Sequence, residues 1–276
     1  MAAPTSNPGE NGLALGNVLK RSPGAHFSIV EDRVSIEEPL EIRLQGKPLA
    51  VTMRTPGHDP ELAAGFSYTE GLVRERTDLA AAPTRSPEPN RIDLFISSAG
   101  TPPPEPLQRY GTIQASCGIC GTTSIKDVLK RHKPIPPDAG FRVRESVLPT
   151  LPEAMRRAQQ QFERSGGLHA SALFTAGGEL LALREDIGRH NALDKLAGWA
   201  LLADRLPAEH SIVLVSGRTS FELVQKTLAI GAPVLAGVSA PSSLAVNFAR
   251  DCGITLVGFL REDRYNVYTH PQRLDR

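Results

Sequence analysis

The stretch from Ser211 to Phe259 constrains the fold more than any other part of the chain. Three short apolar runs (Ser211–Val215, Pro233–Val238 and Ile254–Phe259) alternate with segments of helical character, Phe221–Ile230 and Ser242–Cys252. Apolar strands without an inside–outside alternation, separated by helices, predict parallel strands buried on both faces. Upstream, Leu168–Thr175, the turn Ala176–Gly178 and Glu179–Arg184 read as a hairpin, followed by a helix over Gly188–Leu202. A further helix is expected over Pro152–Arg164.

The first half is richer in strands and loops. Val34–Ile36, Leu40–Leu44 and Leu49–Met53 alternate, with a turn at Gly46-Lys47. Asp59 reads as an N-cap with Pro60 opening a helix to about Leu72, which Gly71 would end. Arg91–Ser97 reads as another strand. Residues 1–25, rich in Pro, Asn and Gly, read as a disordered tail. Two Pro-rich loops lie over Ala80–Pro89 and Thr101–Pro106. Past Cys120, Ile125, Val128 and Leu129 mark a short helix that ends in the prolines from Pro134 on.

Bulk properties exclude some functions. The formal net charge of +1 gives no global case for nucleic-acid or membrane binding, so an anion site must be local. The first residues lack the basic and apolar regions of a secretory signal, and Leu196–Ala203 is too short to cross a bilayer. A cytoplasmic chain is therefore expected. The 3 cysteines do not make a disulfide framework. Two of them form Cys117-Gly-Ile-Cys120, and Cys252, at the end of an apolar helix, reads as inert packing.

In a reducing compartment an isolated C-x-x-C points to redox, sulfur or metal chemistry. An ordinary thiol, with a pKa of about 8.5, is only a few per cent thiolate at pH 7. Helix N-termini and C-x-x-C settings lower that pKa to roughly 3.5–7.5. Glycines beside both sulfurs leave them accessible. The helix that follows, capped by Thr122, Thr123 or Ser124, would bring its positive end to them, favouring Cys120, the nearer of the two. Two buried structural cysteines, or half of a zinc site, are the alternatives. Thioredoxin-type exchange fits less well, because the pair follows a Pro-rich loop rather than a strand. A mobile loop that carries something between two places is the expectation.

The carboxyl ends of the apolar strands form a second constellation: Ser216-Gly217-Arg218, Ser239-Ala240-Pro241-Ser242, and Phe259-Leu260-Arg261-Glu262-Asp263-Arg264. Ligands of open α/β sheets bind there. Two of these turns also open helices whose N–H groups suit phosphate, and three arginines add fork-shaped donors. The bland alternative makes the Ser and Thr side chains simple N-caps. A third cluster, Arg184-Glu185-Asp186-Ile187-Gly188-Arg189-His190-Asn191, reads as a solvated cap at a strand-to-helix junction. His169 reads as a satisfied histidine.

Taken in order, Glu37–Leu40, Cys117–Gly121, Gly166–His169, Arg184–Asn191, Ser216–Arg218, Gly258-Phe259 and Asn266–Thr269 resemble the FdhD/NarQ family, sulfurtransferases required for formate dehydrogenase activity. The likeness runs from about Val34 to Arg273. It implies an α/β fold with a mixed sheet sandwiched by helices, cytidine-deaminase-like, with an N-terminal β-rich subdomain. The division would be a tail over 1–25, a β-rich part over 26–135 ending in the C-x-x-C loop and short helix, and the deaminase-like domain over 136–276. Deamination itself is not implied, since His169 is followed by Ala170 and Ser171 with no general acid/base Glu. The resemblance further implies a cysteine desulfurase as donor, a persulfide on Cys117 with Cys120 assisting, and the molybdenum bis-guanine-dinucleotide cofactor as acceptor before it enters the formate dehydrogenase catalytic subunit. Cofactor contacts would fall on Phe259–Arg264, with Ser216, Gly217, Arg218 and Ser239 beside them. GDP is the natural mimic, and a homodimer with one nucleotide pocket per subunit would match a ligand with two guanines. A zinc-dependent, deaminase-like hydrolase using Cys117, Cys120 and His169 is the competing class.

Overall fold

The computed structural model describes residues 12–21, 26–97, 129, 132–136 and 140–275. At its centre is a mixed sheet of 6 strands in the order β13-β12-β11-β10-β8-β9. Here β8 is His169–Thr175, β9 Leu180–Asp186, β10 Ser211–Val215, β11 Val234–Gly237, β12 Thr255–Gly258 and β13 Asn266–Val267. As the apolar runs require, β10, β11 and β12 are parallel and fully buried. The hairpin β8–β9 joins them antiparallel to β10, and β13 closes the other edge antiparallel to β12.

Burial on both faces explains the unbroken hydrophobicity. Val213 and Val215 point into one core with α4 (Arg189–Leu202), α5 (Phe221–Ile230) and α6 (Ser243–Cys252). Their neighbours Ile212 and Leu214 point into another with Leu148, Leu151 and Met155. Met155 lies on α2, Leu151–Ala158, which is followed by α3, Gln160–Ser165. Cys252 is fully buried in the first core, and burial pushes its thiol up to about 12, so it is inert as expected.

A third core belongs to the N-terminal half. Strands β3 (Glu38–Leu44), β4 (Lys47–Arg54), β5 (Thr84–Arg85) and β6 (Arg91–Leu94) form a sheet ordered β4-β3-β6-β5, covered by α1 (Asp59–Thr69). The same core takes in Leu201 of α4 and Ala229 of α5. Helix α1 crosses α4 with the two backbones touching: a Cβ on Gly65 would lie 1.8 Å from the Asp194 carbonyl oxygen, and one on Gly198 would lie 1.8 Å from that of Glu61. Glycine is the residue that permits this approach.

Some local expectations are corrected. Leu13–Lys20, placed in the disordered tail, form β1 and pair antiparallel with β2, Ser28–Ser35. Cross-strand pairing was invisible there because only half the register is apolar. His58, with φ 56, is the cap residue of α1, and Asp59 is its first helical residue. The Asp59 carboxylate is instead held by the buried Arg54 guanidinium at 3.0 Å and 3.2 Å. The helix expected over Pro152–Arg164 is broken at Gln159, with φ −79 and ψ 74, and restarts because the Glu185 carboxylate accepts the Gln161 and Phe162 N–H groups at 3.1 Å and 2.9 Å. A carboxylate from a neighbouring strand, outside any local sequence window, makes that break.

Candidate functional site

The strands β10, β11 and β12 leave the sheet at one end of it. Their exit turns are laced together by backbone. The Thr219 N–H reaches Ala240 O at 3.1 Å and the Ser242 N–H reaches Thr219 O at 3.0 Å. The Phe259 N–H reaches Ser239 O at 3.2 Å and the Leu260 N–H reaches Gly237 O at 3.1 Å. Because β8 runs antiparallel to β10, it brings its first residue, His169, to the same edge. There, a methyl on Gly217 would lie 3.2 Å from His169 Nδ1 and 4.0 Å from Arg189 Cδ. The edge thus gathers His169, Gly217 and Arg189, residues far apart in sequence.

The local field is positive. Burial pushes the His169 pKa down, and the guanidiniums of Arg189 and Arg218 push it further, against the opposing charge of Asp186. His169 is therefore held neutral near pH 7, beside two cations. Arg189 Nε is buried and has no hydrogen-bond partner among the described residues. The start of α5 adds open N–H groups: its cap residue Ser220 makes no side-chain cap bond, and its hydroxyl instead lies 3.3 Å from His190 Nε2. At α6 the bland expectation holds, since Ser242 Oγ accepts the Ala245 N–H at 3.2 Å. Such an edge favours an anion and disfavours a cation at His169. Among the described residues no group of three or more His, Cys, Asp and Glu side chains could hold a metal ion.

The residues singled out from sequence do not all contribute alike. Ser216 Oγ accepts the Ala170 N–H at 2.9 Å, which pins β10 to β8 and leaves its own proton to donate. Arg218 is exposed and faces the edge with Arg189. Arg261 is committed to structure, donating through Nη1 to the carbonyls of Val238 and Leu260. Arg264 pairs with exposed Asp263 at 3.2 Å, and Glu262 is exposed beside them. Leu260 is fully buried in the core, so only its backbone borders the edge. Phe259 is 43% exposed at φ 53, an uncommon conformation for an aromatic residue. Cys117 and Cys120, and all but Leu129 of the helix expected after them, lie outside the described residues.

A cleft of about 590 Å³ opens from this edge, between α2–α3 on one side and His169, Ser216 and Val238 on the other. Gln159 and Phe162 line it. Sequence reasoning placed no ligand there, because the cleft exists only where the broken helix is packed against the strand ends.

The polar run Arg184–Asn191 proves to be a buried clamp rather than a solvated cap. Asp186 and Lys195, both essentially unexposed, pair at 2.7 Å. Asp186 also accepts the N–H groups of Gly188 at 2.8 Å and Thr55 at 3.2 Å, while Asn191 donates to Met53 O at 2.7 Å. This locks the β9–α4 junction, and with it Arg189, to the end of β4. Asp186→Asn is expected to cost about 3–5 kcal/mol, since it strips a buried ammonium of its partner. Urea unfolding measures it, and a loss below about 1 kcal/mol would show that the clamp is not buried as described.

Comparison with known proteins agrees with this architecture. The FdhD/NarQ family model matches residues 35–275. The chain belongs to the FdhD/NarQ family. A relative from Streptomyces coelicolor named sulfur carrier protein FdhD is 49% identical, over 93% of this chain and 94% of its own. One of the same name from Mycobacterium tuberculosis is 47% identical, over 88% and 92%. A crystal structure from Desulfotalea psychrophila, of a candidate formate dehydrogenase accessory protein, superposes with a TM-score of 0.75 over 95% of this chain and 98% of that one. At 24% identity that likeness speaks for the fold alone. The FdhD/NarQ match spans the N-terminal strands from Ser35 as well as the central sheet. Among the described residues no helix is long and apolar enough to cross a membrane.

Proposed function

We propose that this chain is a sulfur carrier that serves formate dehydrogenase: it accepts sulfane sulfur from a cysteine desulfurase on Cys117 and delivers it to the molybdenum bis-guanine-dinucleotide cofactor. The observation that carries this reading is the cationic carboxyl edge of the sheet, in a chain whose relatives bear the name sulfur carrier. A substrate with a guanine nucleotide at each end needs such an edge. His169, Arg189, Arg218 and the open start of α5 can hold its phosphates, with Ser216, Gly217, Ser239 and Phe259–Arg264 bordering them.

The first step is an exchange: the Cys117 thiolate attacks the outer sulfur of the donor persulfide, and the desulfurase leaves as a thiolate, with no net redox change. For release, attack of Cys120 on the inner sulfur of the Cys117 persulfide expels hydrosulfide toward the acceptor. It leaves a Cys117–Cys120 disulfide for a cellular thiol to reduce. Incubation with a desulfurase and cysteine should add one sulfur atom to the Cys117 peptide in mass spectra. We read the architecture as cytidine-deaminase-like and the working unit as a cytoplasmic homodimer, each subunit taking one guanine nucleotide.

Nucleotide binding is the direct test of the edge. Calorimetry with GDP should show binding that weakens as salt rises from low to physiological strength, because the contacts are with phosphate at a partly exposed surface. No heat with GDP, GMP or the intact cofactor would sink this assignment.

A further inference from the structure

We propose that the β1–β2 ribbon is a peripheral membrane anchor, whose free end enters the surface of a bilayer rich in anionic phospholipid. The residues concerned lie ahead of the family match, which begins at residue 35, and take no part in the edge described above.

The ribbon is fixed at its base and free at its end. Strands β1 and β2 form a sheet of 2 strands and pair with no other described strand. At the base, Ala14 is buried, Ser35 Oγ lies 2.8 Å from Ser165 Oγ on α3, and a Cβ on Gly12 would run into the Thr55 side chain. Toward the end, where Leu19 pairs with Ile29, exposure rises to 49% at Leu19, 73% at Ile29 and 64% at Phe27. A lone two-stranded hairpin in water is marginally stable at best, so an end of this kind calls for a cover.

The end is apolar on both faces. Residues directly opposite in register share a face, which puts Leu15, Leu19 and Ile29 on one side, and the pair Val18 and Val30 on the other. A protein partner covers one face of a ribbon, whereas a bilayer surrounds whatever enters it.

Charge selects the kind of bilayer. From Leu13 to Val30 the sequence holds Lys20, Arg21 and His26 and no acid. Lys20 and Arg21 are both exposed. Lys20 shares the face of Val18, while the Arg21 guanidinium lies 5.9 Å from the centre of the Phe27 ring. Cations thus flank the apolar end, as in segments that lie in anionic headgroups. Glu31, the nearest acid, follows Ile29 by 2 residues, about 7 Å further from the end at roughly 3.3 Å per residue. Interfacial segments sink their apolar side chains roughly 5–10 Å. Leu19, Phe27 and Ile29 can therefore be immersed while the carboxylates stay in water.

Sedimentation of the full chain with vesicles tests this, comparing phosphatidylglycerol mixed into phosphatidylcholine with phosphatidylcholine alone. Binding to the mixed vesicles is expected at low ionic strength and should weaken as salt rises. Without the anionic lipid it should be at least about tenfold weaker. Lys20→Gln combined with Arg21→Gln should weaken it about 25-fold, since each cation near such a surface contributes about fivefold. Phe27→Ser combined with Ile29→Ser should weaken it at least about a hundredfold. All these positions are exposed, so an unchanged thermal midpoint serves as the folding control. Phe27→Trp should shift its emission to shorter wavelength on adding the mixed vesicles, a change that Trp199 on α4 does not give in the unaltered chain. No sedimentation of the unaltered chain with the mixed vesicles overturns the proposal. So does binding that Phe27→Ser with Ile29→Ser leaves intact, which places the contact elsewhere. If light scattering shows that the same two changes lower the particle mass in solution, the ribbon covers a second copy of the chain and the anchor is refuted.

Discussion

Cys117→Ala is expected to reduce formate dehydrogenase activation to background in cells that depend on this chain. The effect should be close to complete, because alanine has no thiolate to take the sulfane sulfur and Cys120 is left without the inner persulfide sulfur that it attacks in the release step. Cys120→Ala should lose less, since other thiols can perform the release that Cys120 performs within the chain. GDP affinity should be unchanged in both variants, because the residues that build the edge come from 169–264 and none of them is Cys117 or Cys120. Complementation of a strain lacking the native gene measures activation, and calorimetry supplies the folding control. If Cys117→Ala still activates the dehydrogenase, a persulfide on this residue is not the carrier species.

The second large effect concerns stability. Gly198→Ala should destabilise the protein by at least about 3 kcal/mol, the upper end of overpacking costs. A Cβ on Gly198 would stand 1.8 Å from the Glu61 carbonyl oxygen and 2.6 Å from its carbon, both backbone atoms of α1. A side chain in the way could rotate; a helix backbone has to translate. Gly65 makes the reciprocal contact with Asp194 and leaves no slack on the other side. Forcing the helices apart also strains the Arg184–Glu61 ion pair and the buried network beside it. In that network Lys226 donates to Asp194 at 3.0 Å and to Thr69 at 3.0 Å. Burial alone would lower the Lys226 pKa, but Asp194, Glu70 and Glu222 outweigh it and hold Lys226 above the usual lysine range. The expected fall in thermal midpoint is roughly 6 °C or more. A midpoint within about 2 °C of the unaltered protein would mean that the crossing is looser than described.

The expected chemistry and the buried strands have different origins from the site that surrounds them. The alternating strands and helices of the second half were legible in the chain: β10, α5, β11, α6 and β12 lie within a residue or two of their sequence boundaries, because burial on both faces demands unbroken apolar runs. The C-x-x-C was equally plain, since its chemistry resides in residue type and spacing. The three exit turns were identifiable because strand ends in such sheets are where ligands bind. What sequence could not rank was the use of each polar side chain there. Arg261 looked like a phosphate donor and is tied to the Val238 and Leu260 carbonyls. Arg189 looked like part of a cap and stands beside His169 and Gly217.

Tertiary structure alone decided the rest, in each case through contacts across long sequence separations. The Asp186–Lys195 clamp became buried only because Met53 of β4 and Thr55 just beyond it close over it. The strand β1 became a strand only through its register with β2. The cleft exists because Glu185, on β9, interrupts a helix that propensity would have continued through Gln159. Spacing along a chain encodes which faces are apolar and which residues can react. It carries no record of which buried donor finds a partner, since that depends on a second segment arriving within hydrogen-bond distance, and so the unpartnered Nε of Arg189 could be recognised only in the folded protein.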